Sequence, residues 1–149
     1  MELIKCEGPY VLARGRHGLF LANTLDFYVG RAISTYGEYG EIEWQLIDQL
    51  MRPGMDSVEV GANIGTHSVA MARKLAQWGR RLLVVEPQPV IFQNLCANIA
   101  LNGFFNVQAE NVACSDQAGT LSFSEPDYGE ENNFGGVQMA EYSGSGPRV

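Results

Sequence analysis

The stretch from Val58 to Glu86 constrains the fold of this chain more than any other part of it. A short apolar strand leads into a turn that begins at Gly61 and ends at Gly65, and a helical segment and a second apolar strand follow. This order is typical of a βαβ unit, whose ligand site lies at the carboxyl ends of its parallel strands. Gly61 can turn sharply, and Gly65 allows the helix to begin close to a ligand because it lacks a Cβ. The sequence therefore predicts a ligand site at this turn.

Two acids near the turn indicate which ligand it binds. Glu59 lies just before Gly61, and Glu86 ends the second strand. A carboxylate at the end of that strand suits the two hydroxyls of a ribose. A carboxylate beside the turn would repel a pyrophosphate, whereas it suits a ligand with ammonium and sulfonium charges. The glycine spacing also differs from the Gly-x-Gly-x-x-Gly of dinucleotide sites, so these residues favour S-adenosylmethionine over NAD.

Several short motifs extend this pattern along the chain. They are Val58-Glu-Val-Gly-Ala-Asn-Ile-Gly-Thr-His-Ser-Val69, Val85-Glu-Pro-Gln-Pro89, Asn98-Ile-Ala-Leu-Asn102-Gly103, Ala113-Cys-Ser-Asp116, Gly119-Thr-Leu-Ser-Phe123 and Asn132-Asn-Phe-Gly-Gly136. In this order they resemble the FkbM-type family of S-adenosylmethionine-dependent methyltransferases, over roughly residues 36–139. The resemblance implies a class I methyltransferase Rossmann fold and, usually, O-methylation of a hydroxyl on a small molecule or sugar.

The cofactor-binding residues that we predict lie at the ends of three successive strands. Glu86, followed by Pro87, is expected to hold the ribose, and Asn63 either bonds to the methionine part of the cofactor or closes the turn locally. The resemblance implies that adenine is held by backbone groups at the end of the third strand. The full set is Glu59, Gly61, Asn63, Gly65, Glu86, Pro87, Asn111, Val112 and Ala113. We interpret His67 as a residue at the pocket rim rather than a general base, because nothing in the sequence places the acceptor.

The resemblance also implies a strand that this chain does not supply. Members of the family continue to a Lys-Ile-Asp-Val-Glu-Gly-like motif, which the sequence does not match. We therefore expect an incomplete Rossmann-like sheet, with strands in the order 3-2-1 and an open edge from Ser57 to Val60. Open edges recruit partners or aggregate, so we predict poor solubility, an oligomer, or a cover made by Gly136 to Ala140 folding back. We also expect negligible methyltransferase activity from this segment alone.

The segment before the turn, residues 1–55, is predicted to be a small cap of strands and a helix. Tyr10-Val-Leu-Ala and Gly18-Leu-Phe-Leu predict a hairpin, and Asp26 to Arg31 a further strand or turn. A helix from Glu41 is indicated by apolar residues at helical spacing, namely Ile42, Leu46, Ile47 and Leu50. Tyr36 and Tyr39 either line the cofactor pocket or pack as ordinary aromatic residues.

Residues 56–124 are predicted to form the Rossmann half, with helices on both sheet faces. We place helices at Thr66 to Trp78 and Pro89 to Leu101, and strands at Ser57 to Val60, Leu82 to Val85, Val107 to Ala113 and Thr120 to Ser124. Residues 125–149 are rich in glycine and acids, and they predict a mobile loop with one short strand near Val137 and a loose end from Ser143.

Composition restricts the partners. The net charge is −7, which disfavours a surface for nucleic acid. The three cysteines form no Cys-x-x-Cys pair, so we expect free thiols, no metal and a reducing, cytoplasmic location. No apolar run reaches the ~18 residues of a membrane span.

The sequence also allows two other functions. A non-catalytic module that binds a nucleotide-like ligand or a partner chain would account for the missing strand. An NAD-dependent oxidoreductase would share the βαβ unit, but the glycine spacing and Glu59 disfavour it.

Overall fold

Strands and helices alternate through the middle of the chain, as the sequence predicts. The computed structural model describes residues 3–141. The strands are β1 (Leu3–Lys5), β2 (Tyr10–Arg14), β3 (Leu19–Asn23), β4 (Ser57–Val60), β5 (Leu82–Val85), β6 (Val107–Glu110), β7 (Leu121–Phe123) and β8 (Met139–Glu141). The helices are α1 (Val29–Tyr36), α2 (Glu41–Leu50), α3 (Thr66–Gln77) and α4 (Pro89–Leu101), with a 3-10 turn at Phe134–Gly136.

The centre of the fold is a parallel sheet in the order β4-β5-β6. Ser57 pairs with Leu82, and Leu82 pairs with Val107, so the three strands end level with one another. Helices α3 and α4 make the two crossovers between them, as parallel pairing requires. The predicted α/β sheet with strand order 3-2-1 is confirmed.

Helices cover one face of this sheet only. Leu82 and Val84 point to the covered face, where they pack with Leu75 and Leu95 and are at most 1% exposed. The valines Val58 and Val60 point to the opposite face and are 63% and 60% exposed. The prediction of helices on both faces is therefore wrong for the part of the chain that the structure describes.

The edge of the sheet at β4 is open, as predicted. Within residues 3–141, β4 pairs with β5 alone. The segment proposed as its cover does something else, because Met139–Glu141 pairs antiparallel with β7, with Phe123 opposite Met139. The short strand expected near Val137 is thus present as β8, which begins at Met139. The expected strand at Thr120 to Ser124 is present in shorter form as β7.

The N-terminal cap is an antiparallel sheet in the order β1-β2-β3 with α1 and α4 packed against β3. The predicted hairpin is confirmed as β2 and β3, and β1 adds a third strand to it. Its core includes residues of the βαβ unit, because one buried cluster joins the cap to α3, to α4 and to the segment around Phe134. The cluster includes Phe20, Ile33, Val69, Ile91 and Phe134.

Asp26 to Arg31 forms neither a strand nor a plain turn, because α1 begins at Val29. The Asp26 carboxylate accepts the N–H groups of Tyr28 and Gly30 at 3.3 and 3.0 Å. These bonds satisfy N–H groups that a helix start leaves without intrahelical partners. The buried Asp26 carboxylate thus stabilises the start of α1. The apolar pattern of this segment alone does not indicate a helix.

Helix α2 has its predicted bounds but not its predicted packing. Ile42, Leu46 and Leu50 are 81%, 59% and 65% exposed. The helix packs instead through Trp44 and Ile47, which contact the core under the parallel sheet. An apolar stripe therefore lies on the outer side of α2.

Residues 125–138 are not the loose loop that their composition predicts. Phe134 is 1% exposed in the cluster of the N-terminal cap, and Tyr128 meets its ring edge-on at a centroid distance of 5.0 Å. Backbone bonds join Asn132 to Leu25 and to Phe27 at 3.1 and 2.9 Å. One buried aromatic ring and these bonds fix the segment. The loose end predicted from Ser143 lies outside the described residues.

Candidate functional site

The turn between β4 and α3 has the strained geometry that its glycines allow. Gly61 has φ +76°, and a Cβ built on it would meet nothing within 4 Å. Asn63 also has a positive φ, +50°, a conformation that asparagine tolerates better than most residues. Its side-chain oxygen accepts the N–H of Ile64 at 2.8 Å, which is the local turn bond that the sequence left open. The space above Gly61 is thus open at the carboxyl end of β4.

Gly65 has a packing role that the sequence did not indicate. It has φ +86° immediately before α3, and a Cβ there would lie 2.7 Å from Cδ1 of Leu95. Its missing side chain therefore allows α3 and α4 to pack closely.

The N–H groups of residues 61–65 all have acceptors within the protein. The N–H groups of Gly61 and Ala62 both donate to the Val85 carbonyl oxygen. The next three N–H groups, in chain order, donate to Glu86 Oε2, to Asn63 Oδ1 and to the Ala62 carbonyl oxygen. Phosphate sites at such turns use rows of N–H groups that are free to bind the anion. Residues 61–65 offer no such row.

Glu86 lies at the centre of the site, 3% exposed, at the end of β5. Its Oε1 accepts the N–H of Gln88 and its Oε2 accepts the N–H of Asn63, both at 2.9 Å. Burial raises the pKa of this carboxyl, and the two backbone bonds oppose the rise. A carboxylate has about four lone-pair positions, so two remain for the hydroxyls of a ligand.

Glu59 points to the covered face of the sheet, under the same turn. Ser68 of α3 donates its hydroxyl to Glu59 Oε2 at 2.6 Å. Burial raises the pKa of this carboxyl as well, against the lowering effects of Ser68 and of the nearby His67. The two acids predicted from the sequence therefore flank one turn on adjacent strands.

The third predicted strand ends at Glu110, earlier than expected, so Asn111, Val112 and Ala113 follow it as a loop. The Asn111 side chain donates to the carbonyl oxygens of Glu86 and Pro87 at 2.8 and 3.0 Å. It thereby ties the ends of β5 and β6 together. Val112 is 46% exposed at the start of a groove that runs along residues 112–121.

The sequence reasoning missed a set of side chains that fasten residues 127–136 beside Glu86. Gln88 donates to the Phe134 carbonyl oxygen at 2.8 Å, and Tyr128 donates its hydroxyl to Gln88 at 3.1 Å. Burial, together with Glu125 and Glu86, raises the pKa of Tyr128 to about 12. The only signal in the sequence was the position of Gln88 within the Val85 to Pro89 motif.

A groove adjoins the turn on the side of the N-terminal cap. It is lined by Tyr28, Val29, Tyr39, Asn133 and Gly135 and encloses about 310 Å³. A Cβ on Gly135 would lie 3.2 Å from the Asn63 side-chain nitrogen, so the groove begins beside the turn. Tyr36 lies away from it at 77% exposure.

His67 Nε2 lies 3.0 Å from the Gly40 carbonyl oxygen, which joins α3 to the start of α2. This contact agrees with an interpretation as a rim residue. The described part of the chain contains no cluster of three or more metal-ligating side chains. None of the helices in residues 3–141 is long and apolar enough to cross a membrane.

Comparisons with known proteins found a similar sequence and a similar fold. The chain is 43% identical over 65 residues to Methyltransferase sdnD of Sordaria araneosa, a stretch that is 43% of this chain and 24% of that protein. The crystal structure of wild-type Trm5b from Pyrococcus abyssi superimposes with a TM-score of 0.50 at 16% identity, over 71% of this chain and 29% of that chain. The fold is that of a class I methyltransferase.

The chain spans about a quarter of the length of these two relatives. No family model matches the chain, so the FkbM-type resemblance is not confirmed. The sequence similarity to a methyltransferase covers part of the chain, and the fold similarity to Trm5b covers most of it.

Proposed function

We propose that this chain is the cofactor-binding part of an S-adenosylmethionine-dependent methyltransferase. The observation that carries the proposal is the open space above Gly61, at a turn flanked by the buried Glu86 carboxylate and the partly buried Glu59 carboxylate on adjacent strands. The similarity to a methyltransferase over 65 residues supports it independently.

The chemistry of the site favours this cofactor over nucleotides with phosphates. The N–H groups of the turn are already bonded, so a pyrophosphate would find few donors there. Glu59 and Glu86 would add two negative charges close to it. S-adenosylmethionine carries a ribose and two cations but no phosphate, so the same carboxylates would attract it. An NAD-dependent oxidoreductase is disfavoured for this reason.

Each part of the cofactor has a matching group in the site. Glu86 would accept the ribose hydroxyls, and Glu59 would face the cationic methionine end. The loop of Asn111, Val112 and Ala113 would hold the adenine. When bound, the cofactor supplies a methyl group on a positive sulfur. The residues of this chain hold that group in line with an acceptor, an effect worth up to ~7–11 kcal/mol in favourable cases.

We further propose that the acceptor is a hydroxyl on a small molecule or a sugar. The groove of Tyr28, Tyr39 and Asn133 supports this, because aromatic faces pack against rings and an amide side chain bonds to hydroxyls. The groove begins beside Asn63, near the methionine end of the proposed cofactor.

A second candidate function is a non-catalytic module that binds a partner chain. The open edge of β4 and the exposed Val58 and Val60 favour it, because such surfaces bind other proteins. The partner would be a second copy or another protein rather than nucleic acid, given the net charge of −7.

The cysteines Cys6, Cys96 and Cys114 are free thiols, which supports a cytoplasmic location.

Calorimetric titration tests the proposed function. The chain is titrated separately with S-adenosylhomocysteine, NAD and ATP at equal concentrations. The proposal expects binding of S-adenosylhomocysteine and no measurable heat from the other two. Equal or tighter binding of ATP or NAD would favour a nucleotide module instead, and binding of none would favour the partner-binding function.

A further inference from the structure

Three asparagines, two on α4 and one at its C-terminal cap, form a ladder along β3. Asn94, Asn98 and Asn102 are spaced four residues apart, so they lie on one face of the helix. Four helical residues advance about 6 Å, and two residues of a strand advance about 6.8 Å. The spacing of the asparagines therefore matches the spacing of successive peptide groups that point out from one edge of a strand.

The ladder replaces a neighbouring strand. The Leu21 N–H donates to Asn98 Oδ1 at 2.6 Å, and its carbonyl oxygen accepts from Asn94 at 2.8 Å and Asn98 at 3.2 Å. The Leu19 N–H and carbonyl oxygen pair with the Asn102 side chain at 2.9 and 2.8 Å. Side-chain amides have the same donors and acceptor as the backbone, which lets a helix close the edge of a sheet.

Asn98 differs from its neighbours because it also reaches the turn at Gly61. Its side-chain nitrogen donates to the Ile64 carbonyl oxygen at 2.8 Å, and the residue is 0% exposed. The N–H of the same peptide, on Gly65, donates to the Ala62 carbonyl oxygen at 2.9 Å. This peptide is thus held at both ends, by the turn itself and by Asn98.

We propose that Asn98 is a positioning residue for the cofactor turn. By fixing the peptide that follows Ile64, it holds Asn63 in its positive φ and keeps the Asn63 N–H on Glu86, 2.9 Å away. The N-terminal cap thereby becomes part of the cofactor site, because Asn98 bonds to β3 and to the turn at the same time. The effect on cofactor affinity rests on the proposed function, whereas the effect on the turn does not.

Asn98→Ala tests this inference, with Asn102→Ala as its matched control. Both variants remove a ladder side chain that bonds to β3, but only the first removes a bond to the turn. Two readouts are compared at a temperature where both proteins are folded. One is the hydrogen-exchange rate of the Asn63 and Gly65 amides without ligand, and the other is the affinity for S-adenosylhomocysteine.

The inference expects Asn98→Ala to speed exchange at Asn63 and Gly65 at least tenfold and to weaken binding about tenfold, while Asn102→Ala changes either by less than twofold. If Asn98→Ala does not fold, Asn98→Ser, which keeps one donor, carries the same comparison. Equal effects of the two ladder variants on the turn amides, or none, would overturn the inference. If the wild-type chain does not bind the ligand, the proposed function fails, and the exchange rates still decide whether Asn98 holds the turn.

Discussion

The two faces of the parallel sheet carry similar side chains and have opposite surroundings. On the covered face, Leu82 and Val84 are at most 1% exposed, whereas on the other face Val58 and Val60 are about 60% exposed. A strand with one face in water normally points its apolar residues to the core. In β4 the order is reversed, because Glu59 points to the covered face and the valines point away from it. The difference teaches that β4 has the pattern of a strand covered on both sides, with the charged Glu59 on the helix side.

The largest effect that we expect is a difference in stability between valine substitutions on the two faces of the sheet. Val84→Ala should lower the free energy of unfolding by about 1.5–3 kcal/mol, the value of a fully buried valine side chain. Val58→Ala, the same change on the open face, should alter it by less than about 0.5 kcal/mol. Urea denaturation of the two variants measures both. Similar losses in the two would mean that the open face is covered in solution.

Ligand affinity should depend on the carboxylate of Glu86. Glu86→Ala should weaken S-adenosylhomocysteine binding by ~1.5–3 kcal/mol, the scale of hydrogen bonds to a charged group. Glu43→Ala, which removes an exposed carboxylate on α2, is the control and should leave binding unchanged. Calorimetry on folded variants decides this. Unchanged affinity in Glu86→Ala would remove Glu86 from the site.

The dependence of binding on pH should reveal the buried carboxylates. Burial raises the pKa of Glu59 and Glu86 above the ordinary 4.5, so a fraction of each holds a proton at mildly acidic pH. Hydroxyl groups that donate to Glu86 and an ammonium group beside Glu59 both favour the ionised carboxylates, so the affinity for S-adenosylhomocysteine should rise as the pH increases through the range above 4.5. Glu59→Gln should flatten part of this rise and leave the part due to Glu86. Titrations from pH 4.5 upward to neutral pH measure it. A flat wild-type profile would contradict the assignment.

The same shifts predict the opposite slope for stability. The native state holds these protons at pH values where the unfolded chain has lost them, so the free energy of unfolding should fall as the pH rises through the same range.

The smallest expected effect on stability concerns the open face and edge. Val58→Lys and Val60→Lys should change the free energy of unfolding by less than about 0.5 kcal/mol, because both side chains are already exposed. They should nevertheless convert an associating chain into a monomer, since a lysine on an open edge opposes pairing. Size-exclusion chromatography compares the variants with the wild type. A wild-type monomer would show that this surface does not associate in solution.

Much of the fold follows from local sequence pattern. The apolar run Leu82–Val85 and the periodic helix that starts at Thr66 specify their own structures, and a right-handed crossover leaves little choice for the sheet. Phe134 and Asp26 were harder, because their effect depends on partners distant in the chain. Burial of one ring fixes a segment whose composition is typical of a loop, and one carboxylate starts a helix.

The candidate site divides in the same way. Glu59 and Glu86 could be predicted to lie near the same turn, because parallel strands in register bring their carboxyl ends to one edge. The roles of Gly65, Gln88 and Asn98 could not, because each depends on a contact between elements: with Leu95, with Phe134 and with Ile64. The pattern of the chain thus predicts where the ligand lies, and tertiary packing determines what holds the site in shape.

A crystal structure of the chain with S-adenosylhomocysteine tests the central claim most directly. We expect both ribose hydroxyls to lie about 2.5–3.0 Å from the Glu86 carboxylate. The ligand should pass over Gly61, with its amino group on the side of Glu59. A ligand bound elsewhere, or one bound at the turn with its ribose away from Glu86, would contradict it.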